Sequence, residues 1–214
     1  MARLPFQNRF EAGRLLGAEL QRLKLAGNPI VLALPRGGVP AGAGVAEALD
    51  APLDVLVVRK LGVPWQPELA MGAIAGDTRV LDSSIILQLE ISDEEVEAVV
   101  AKETREMKRR EAEYRDGRPA PDLSGRTVIL VDDGLATGST MVAAARHVRA
   151  GNPCEVIVAV PVSSIEARGR LRREADKCLC LACPEPFLAV GYWYTDFRQV
   201  SDSEVKELLK RNHC

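Results

Sequence analysis

Between Val128 and Met141 the chain reads VILVDDGLATGSTM, a run whose residue types suit a ligand site better than a core. Four apolar residues predict a central buried strand, and two adjacent carboxylates, Asp132 and Asp133, stand at its carboxyl end with no packing role to explain them. Gly134 and Gly138 let the backbone turn tightly, Thr137, Ser139 and Thr140 offer hydroxyls, and a helical pattern begins at Gly138. Free backbone N–H groups and the positive end of that helix would point into the loop, which suits a phosphate. Carboxylates would repel a phosphate set beside them, so they must face another part of the ligand. Vicinal hydroxyls, which donate to carboxylates, are the natural candidate, with a nearby cation offsetting the charge. A ribose 5-phosphate meets both demands. Two common phosphate motifs do not fit: a P-loop needs G-x-x-x-x-G-K-[ST], and here Ser139 stands where the lysine belongs; G-x-G-x-x-G is absent from the loop.

Other loops could complete such a site. After a first strand comes ALPRGGVPAG, in which Arg36, Gly37 and Gly38 place a cation beside backbone that can approach a ligand closely. After a second strand, Arg59 and Lys60 open RKLGVPWQPELAMGAIAGDT, with Pro64, Pro67 and several glycines. A structureless connection of that size is expected to be a lid, so 60–78 is expected to be a mobile loop, with Glu68 as a candidate substrate contact. Near the end of the chain, PEPFLAVGYWYTDF gathers Phe187, Tyr192, Trp193, Tyr194 and Phe197, a face on which a flat ring could stack.

These loops need a frame. Val/Ile/Leu-rich strands are predicted at 30–34, 54–59, 127–132, 155–160 and 177–182, with another near 187–193; helical patterns lie at 9–26, 40–50, 138–150, 164–175 and 201–212. The alternation predicts the α/β class, with an open, mainly parallel sheet covered by helices on both faces. Ligands in such sheets sit beyond the carboxyl ends of the strands, where all these loops emerge. One segment, 89–121, breaks the alternation as a helical insertion. Ser92 and Glu95 form a capping box, Val96, Val100, Met107 and Tyr114 make one apolar stripe, and Glu106–Arg110 and Glu111–Arg115 have the spacing of i,i+4 ion pairs. Lys108, Arg109 and Arg110 belong to a mixed-sign solvated face.

A net charge of −2 gives no field that would draw nucleic acid or an anionic membrane to the whole surface. No apolar stretch is long enough to span a bilayer, and MARLPFQNRFEAGRLL has no signal-peptide core, so a cytoplasmic protein is expected. Cys178, Cys180 and Cys183 cluster, but with only His147 and His213 as histidines a zinc site lacks a fourth ligand. KCLCLAC is better explained as a buried strand with reduced thiols on one face.

The strand, acid pair and G/T/S-rich turn into a helix resemble the PRPP-binding loop of the type I phosphoribosyltransferases, and the order of elements is compatible with that family over most of the chain. The resemblance implies one domain over 1–214, with a small hood at 184–214 built from the termini, and a homodimer. It implies that Asp132 and Asp133 bind the ribose hydroxyls and that Gly134, Leu135, Ala136, Thr137, Gly138, Ser139 and Thr140 wrap the 5′-phosphate. Arg36, Gly37 and Gly38 would hold the pyrophosphate, in a loop that in this family often has a strained or cis peptide. The magnesium ion, Mg2+, would be held mainly by PRPP, without a direct side-chain ligand, Asp132 and Asp133 reaching it through water. Arg59, Lys60 and Arg36 would stabilise the departing pyrophosphate under a closed lid, as in the adenine enzymes. Phe187, Tyr192, Trp193, Asp196 and Glu68 are the candidate contacts to a heterocyclic base, Phe187 and Asp196 being the nearest counterparts of the stacking aromatic and base-reading Asp of the 6-oxopurine enzymes. Ala136 departs from the latter, which carry an Asp there. The implied activity is transfer of phosphoribosyl to a nitrogen acceptor in nucleotide salvage. The alternatives are a PRPP-sensing regulator without turnover and, last, a hydrolase with Asp132 as nucleophile.

Overall fold

The computed structural model describes residues 4–212, so His213 lies outside the described residues. Along the chain the elements are α1 (Arg9–Leu20), β1 (Pro29–Ala33), α2 (Gly38–Leu49), β2 (Leu53–Val55), β3 (Val58–Val63), β4 (Gln66–Ala75), β5 (Thr78–Leu81), α3 (Ser83–Gln88) and α4 (Asp93–Arg115). There follow β6 (Thr127–Val131), α5 (Ser139–Ala150), β7 (Glu155–Val162), α6 (Ile165–Leu171), β8 (Lys177–Ala182), a 3-10 turn (Val190–Trp193) and α7 (Asp202–Arg211).

The chain has the expected α/β architecture: a parallel sheet in the order β2-β1-β6-β7-β8, and a separate antiparallel sheet β3-β4-β5. Alternation along β1 and β6 feeds two cores. Val31, Ala33, Ile129 and Val131 pack with α1, α2, α4 and α7, while Ile30, Leu32, Val128 and Leu130 pack with α5 and α6 on the other face. Connections leave β1 and β6 in opposite directions, so the gap between their carboxyl ends is a topological switch point, where ligands settle in open α/β sheets. α1 lies unusually close on α2, because a Cβ added at Gly13 would fall 2.0 Å from the Ala41 carbonyl oxygen and one at Gly44 would fall 2.4 Å from that of Phe10.

Three expected elements are corrected. The strand expected at 54–59 divides: β2 stops at Val55, where its pairing with Ala33 ends, and β3 begins a different sheet at Val58. The loop expected at 60–78 is instead the β3-β4-β5 sheet, whose alternation was masked by Gly62, Pro64, Pro67, Gly72 and Gly76. It packs on α5 through Ala73, Ala75 and Ala143. The stretch near 187–193 forms a 3-10 turn in place of a strand.

In α4 the Ser92–Glu95 capping box is present, and Val96, Val100, Met107 and Tyr114 are its buried residues. Arg110 pairs with Glu106 at 2.7 Å as expected. Arg115 does not pair with Glu111; it reaches Asp54 at 3.0 Å, because buried Asp54 in β2 offers a carboxylate with no other cation, its Oδ1 accepting only the Val55 amide besides. β8 is a half-buried edge strand, not a buried one, with Cys178 and Cys180 packed against the α5 side and the Cys180 and Cys183 sulfurs 3.6 Å apart. Among the described residues no group of three metal-ligating side chains forms, and no helix is long and apolar enough to cross a membrane.

Met107 is 1% exposed, so Met107→Ala should cost about 2–5 kcal/mol. A lower urea midpoint at unchanged slope would show it. A loss below about 0.5 kcal/mol, the range of surface substitutions, would mean that α4 is not part of the core.

Candidate functional site

Asp132 and Asp133 emerge from β6 at the switch point, and two helices start beside them. Of the seven α-helices, α1, α3, α4, α6 and α7 are capped by side chains of Asn8, Asp82, Ser92, Ser164 and Ser201. The exceptions are α2 and α5, which begin at Gly37 and Gly138 with no side-chain cap. Among the described residues nothing accepts from the amides of Ala136, Thr137 or Gly138, and the first amides of a helix have no partner within it. Two uncapped positive helix ends therefore flank the acid pair, a ready anion cradle.

The approach is close enough to require glycine. A Cβ at Gly37 would lie 2.1 Å from Asp133 Oδ2, and one at Gly38 would lie 2.9 Å from the Asp132 Cα. The Pro35–Arg36 peptide is cis. Arg36 is half-buried, and its nearest acid is Asp202 at 3.8 Å. Ser164 steadies the other rim, its Oγ donating to the Ala136 carbonyl at 2.7 Å.

Asp133 is held at both ends. Arg9 Nε donates to Asp133 Oδ2 at 2.7 Å, with only 10% and 14% of the two side chains exposed. The Tyr194 hydroxyl donates to the Asp133 carbonyl at 2.5 Å. Arg9 also donates through Nη1 to the Arg198 carbonyl at 2.9 Å and lies 3.6 Å over the Phe197 ring. Asp132 has less support: Oδ1 accepts the Asp133 amide at 2.8 Å, and no cation pairs with it among the described residues. Burial, then the charge of Asp133, pushes the Asp132 carboxyl well above its ordinary range. Burial also raises Asp133, opposed by Arg9. A buried carboxylate short of positive charge is suited to donors and a cation brought by a ligand.

Arg36, Gly37 and Gly38 thus meet the 132–140 loop as anticipated. Arg59 is turned to α4, where it pairs with Glu103 at 2.6 Å, and exposed Lys60 donates to the carbonyl of exposed Glu68 at 2.5 Å. No contact links Arg59, Lys60 or Glu68 to the acid pair. Phe187 and Trp193 rings stand 6.5 Å apart, with Tyr192 edge-on to Trp193 at 5.5 Å. Asp196 accepts the Arg198 amide at 3.2 Å and, with Arg9, Asn8 and Arg198, lines a cavity of about 200 Å³. Arg9 was missed in the sequence, although a signal existed: it is the first residue of a helix, where the dipole disfavours a cation unless an acid holds it.

The model of the phosphoribosyl transferase domain family matches residues 8–192, which include the acid pair and both uncapped helices. A candidate phosphoribosyl transferase of Mycobacterium tuberculosis strain H37Rv is 46% identical over 209 residues, 97% of this chain and 47% of that protein. The chain spans about half the length of the curated relatives it matches. The crystal structure of TT1426 from Thermus thermophilus is 40% identical, covers 99% of this chain and 100% of that one, and has a TM-score of 0.84. A hypothetical protein from Neisseria gonorrhoeae, solved with bound ppGpp, shares the fold at 12% identity and a TM-score of 0.54, over 98% of this chain and 99% of that one.

Two predictions arise from the acid pair. Arg9→Gln strands a buried carboxylate and should cost about 3–5 kcal/mol, much of it recovered in Arg9→Gln/Asp133→Asn; additive losses in denaturant unfolding would refute the coupling. Because folding raises both carboxyl pKa values from 3.8, the folded protein retains protons that the unfolded chain has released. Ligand-free stability should therefore fall as pH rises from about 4, and fall less steeply in Asp132→Asn. Parallel curves for parent and variant would rule this out.

Proposed function

The chain belongs to the phosphoribosyl transferase domain family, with the type I fold, and from that premise we propose that it transfers 5-phosphoribosyl from Mg-PRPP to a nitrogen of a nucleobase-like acceptor. The observation that carries this reading is the pair of helix ends without side-chain caps meeting a half-buried, undercompensated acid pair at the switch point. Amides of Ala136 to Thr140 and the hydroxyls of Thr137, Ser139 and Thr140 take the 5′-phosphate. Asp132 and Asp133 accept from the ribose diol. Arg36 and the Gly37 amide take the pyrophosphate, with Gly38, whose amide donates to the Leu34 carbonyl, allowing the close approach.

The acceptor nitrogen attacks C1′ while the C1′–O bond to pyrophosphate breaks, and pyrophosphate departs with the electron pair. The acceptor's N–H proton passes to solvent or to a carboxylate of the hood. The chain's own contribution is positioning and charge stabilisation. The excess negative charge of the Asp132–Asp133 pocket fits a divalent cation, which these two carboxylates would help to hold; magnesium would neutralise the pyrophosphate. Phe187, Tyr192, Trp193 and Asp196 form the acceptor side of the site, and Ala136 leaves the acceptor without a carboxylate at that position. In this reading the protein works in the cytoplasm as a homodimer in nucleotide salvage.

A second reading, PRPP sensing without turnover, is favoured by one observation: Arg59 and Lys60, the cations for the leaving group, are engaged with Glu103 and the Glu68 carbonyl. Binding and turnover separate the two. PRPP with magnesium, at about a hundred times its dissociation constant, should stabilise the chain by roughly 2.7 kcal/mol, and Asp132→Asn/Asp133→Asn should abolish most of that shift. Pyrophosphate release with one member of a purine and pyrimidine panel supports transfer; binding with no release across the panel leaves sensing, and no thermal shift at all sinks both.

A further inference from the structure

The opposite edge of the parallel sheet carries a second cavity, of about 450 Å³. Its apolar wall is Pro52 ahead of β2, with Pro119 and Pro121 from the connection after α4, while Ile30 and Leu53 behind it are 2% and 0% exposed. The five-residue strand β1 separates it from the acid pair by about 16 Å. Three guanidinium groups, Arg115, Arg118 and Arg126, line it with a single carboxylate, Asp54.

That carboxylate is already engaged. Arg115 Nε holds Asp54 Oδ2 at 3.0 Å, and Arg115 Nη2 holds the Val55 carbonyl at 2.7 Å. Arg118 and Arg126 have no acidic partner within ion-pair distance among the described residues. Each is instead fixed by a backbone carbonyl, Arg118 Nε on Arg115 at 2.8 Å and Arg126 Nη2 on Pro29 at 3.0 Å. A guanidinium has five N–H donors, so most of each fork is unused while its position is set. Both side chains belong to half-buried residues, which strengthens their field relative to solvated arginines.

A larger cavity, of about 700 Å³, between the antiparallel sheet, α5 and α6 makes the contrast clear. There Arg146 is paired with Glu174 at 2.6 Å and Arg170 with Glu166 at 2.7 Å, so the charges cancel within the wall. In the smaller cavity two fixed cations remain uncancelled, in a chain whose net charge is −2. Two planar forks lining one space match the oxygens of a phosphate monoester, and proline walls match a flat ring.

We infer that this cavity is a second ligand site that takes a mononucleotide, with its phosphate on Arg118 and Arg126 and its ring against Pro52, Pro119 and Pro121. The inference does not depend on the transfer reaction. Arg115 links the site to β2, two residues of which it grips, and β2 leads directly toward β3.

Calorimetric titration of the full chain with adenosine 5′-monophosphate tests it, with inorganic phosphate and adenosine as separate arms. Because the acid pair would also take a ribose 5-phosphate, the test is run in Asp132→Asn/Asp133→Asn, which should still bind the nucleotide, more tightly than phosphate, with adenosine showing no binding. Adding Arg118→Gln/Arg126→Gln in that background should weaken binding at least tenfold. Should that combination fail to fold, Arg118→Gln, whose fork holds only a carbonyl at the end of α4, carries the same comparison. The assignment is overturned if the aspartate variant does not bind the nucleotide, or if adding the arginine substitutions leaves its binding unchanged. Binding by the parent alone would put the nucleotide at the acid pair.

Discussion

Two carboxylates at the carboxyl end of a central strand, with one guanidinium to compensate them, set the terms for the rest of this molecule. Burial raises both acids, and Arg9 relieves only Asp133. Such a cluster costs folding free energy unless the fold fixes it from several sides, and several elements are shaped accordingly. Gly37 and Gly38 allow the start of α2 to press against the acids. Small residues at the α1–α2 contact bring the first helix close enough for Arg9 to reach them, and the Tyr194 hydroxyl ties down the intervening carbonyl.

The sheet order makes this arrangement useful. Because connections diverge between β1 and β6, the two helices that follow them lie on opposite faces and begin on either side of one crevice. Both begin without a side-chain cap, whereas the other five α-helices satisfy their first turn from within the chain. Leaving the first amides of α5 free forgoes about 1 kcal/mol, while at α2 the Gly38 and Val39 amides turn to the Leu34 and Arg36 carbonyls. The fold accepts the loss where a phosphate would restore it.

The sequence made this region legible because its signals are local. Strand, acid pair, glycines and helix start lie within fourteen consecutive residues, and the parallel sheet follows from the Val/Ile/Leu runs. The antiparallel sheet was hidden because glycine and proline interrupt 60–78 with the punctuation of a loop; its pairing relies on contacts with α4 and α5 rather than on local pattern. Arg9 was hidden for a different reason. Its partner is 124 positions away, and nothing local in an Asn-Arg-Phe helix start specifies a distant carboxylate. The Asp54–Arg115 pair is concealed in the same way, since Glu111 offered a nearer acid at helical spacing.

Arg9 also makes the two acids unequal, although the sequence presents them as a pair. Asp133 already has a cation on its carboxylate and a hydroxyl on its carbonyl, so its orientation is fixed before any ligand arrives. Asp132 has one amide and no cation, and burial opposes its charge more strongly. A ligand's hydroxyls and accompanying cation therefore gain more at Asp132, while Asp133 serves mainly to set the pocket's shape. Arg9 reaches Asp133 while resting on Phe197 and on the Arg198 carbonyl, so the terminal segments that form the hood share the same ion pair. Any displacement of the hood must loosen Asp133, and any change in the charge of Asp133 must be felt by the hood. On the proposed reading, ligand occupancy at the acid pair and the packing of the terminal segments would be linked equilibria, with the Arg9 guanidinium as the element they share.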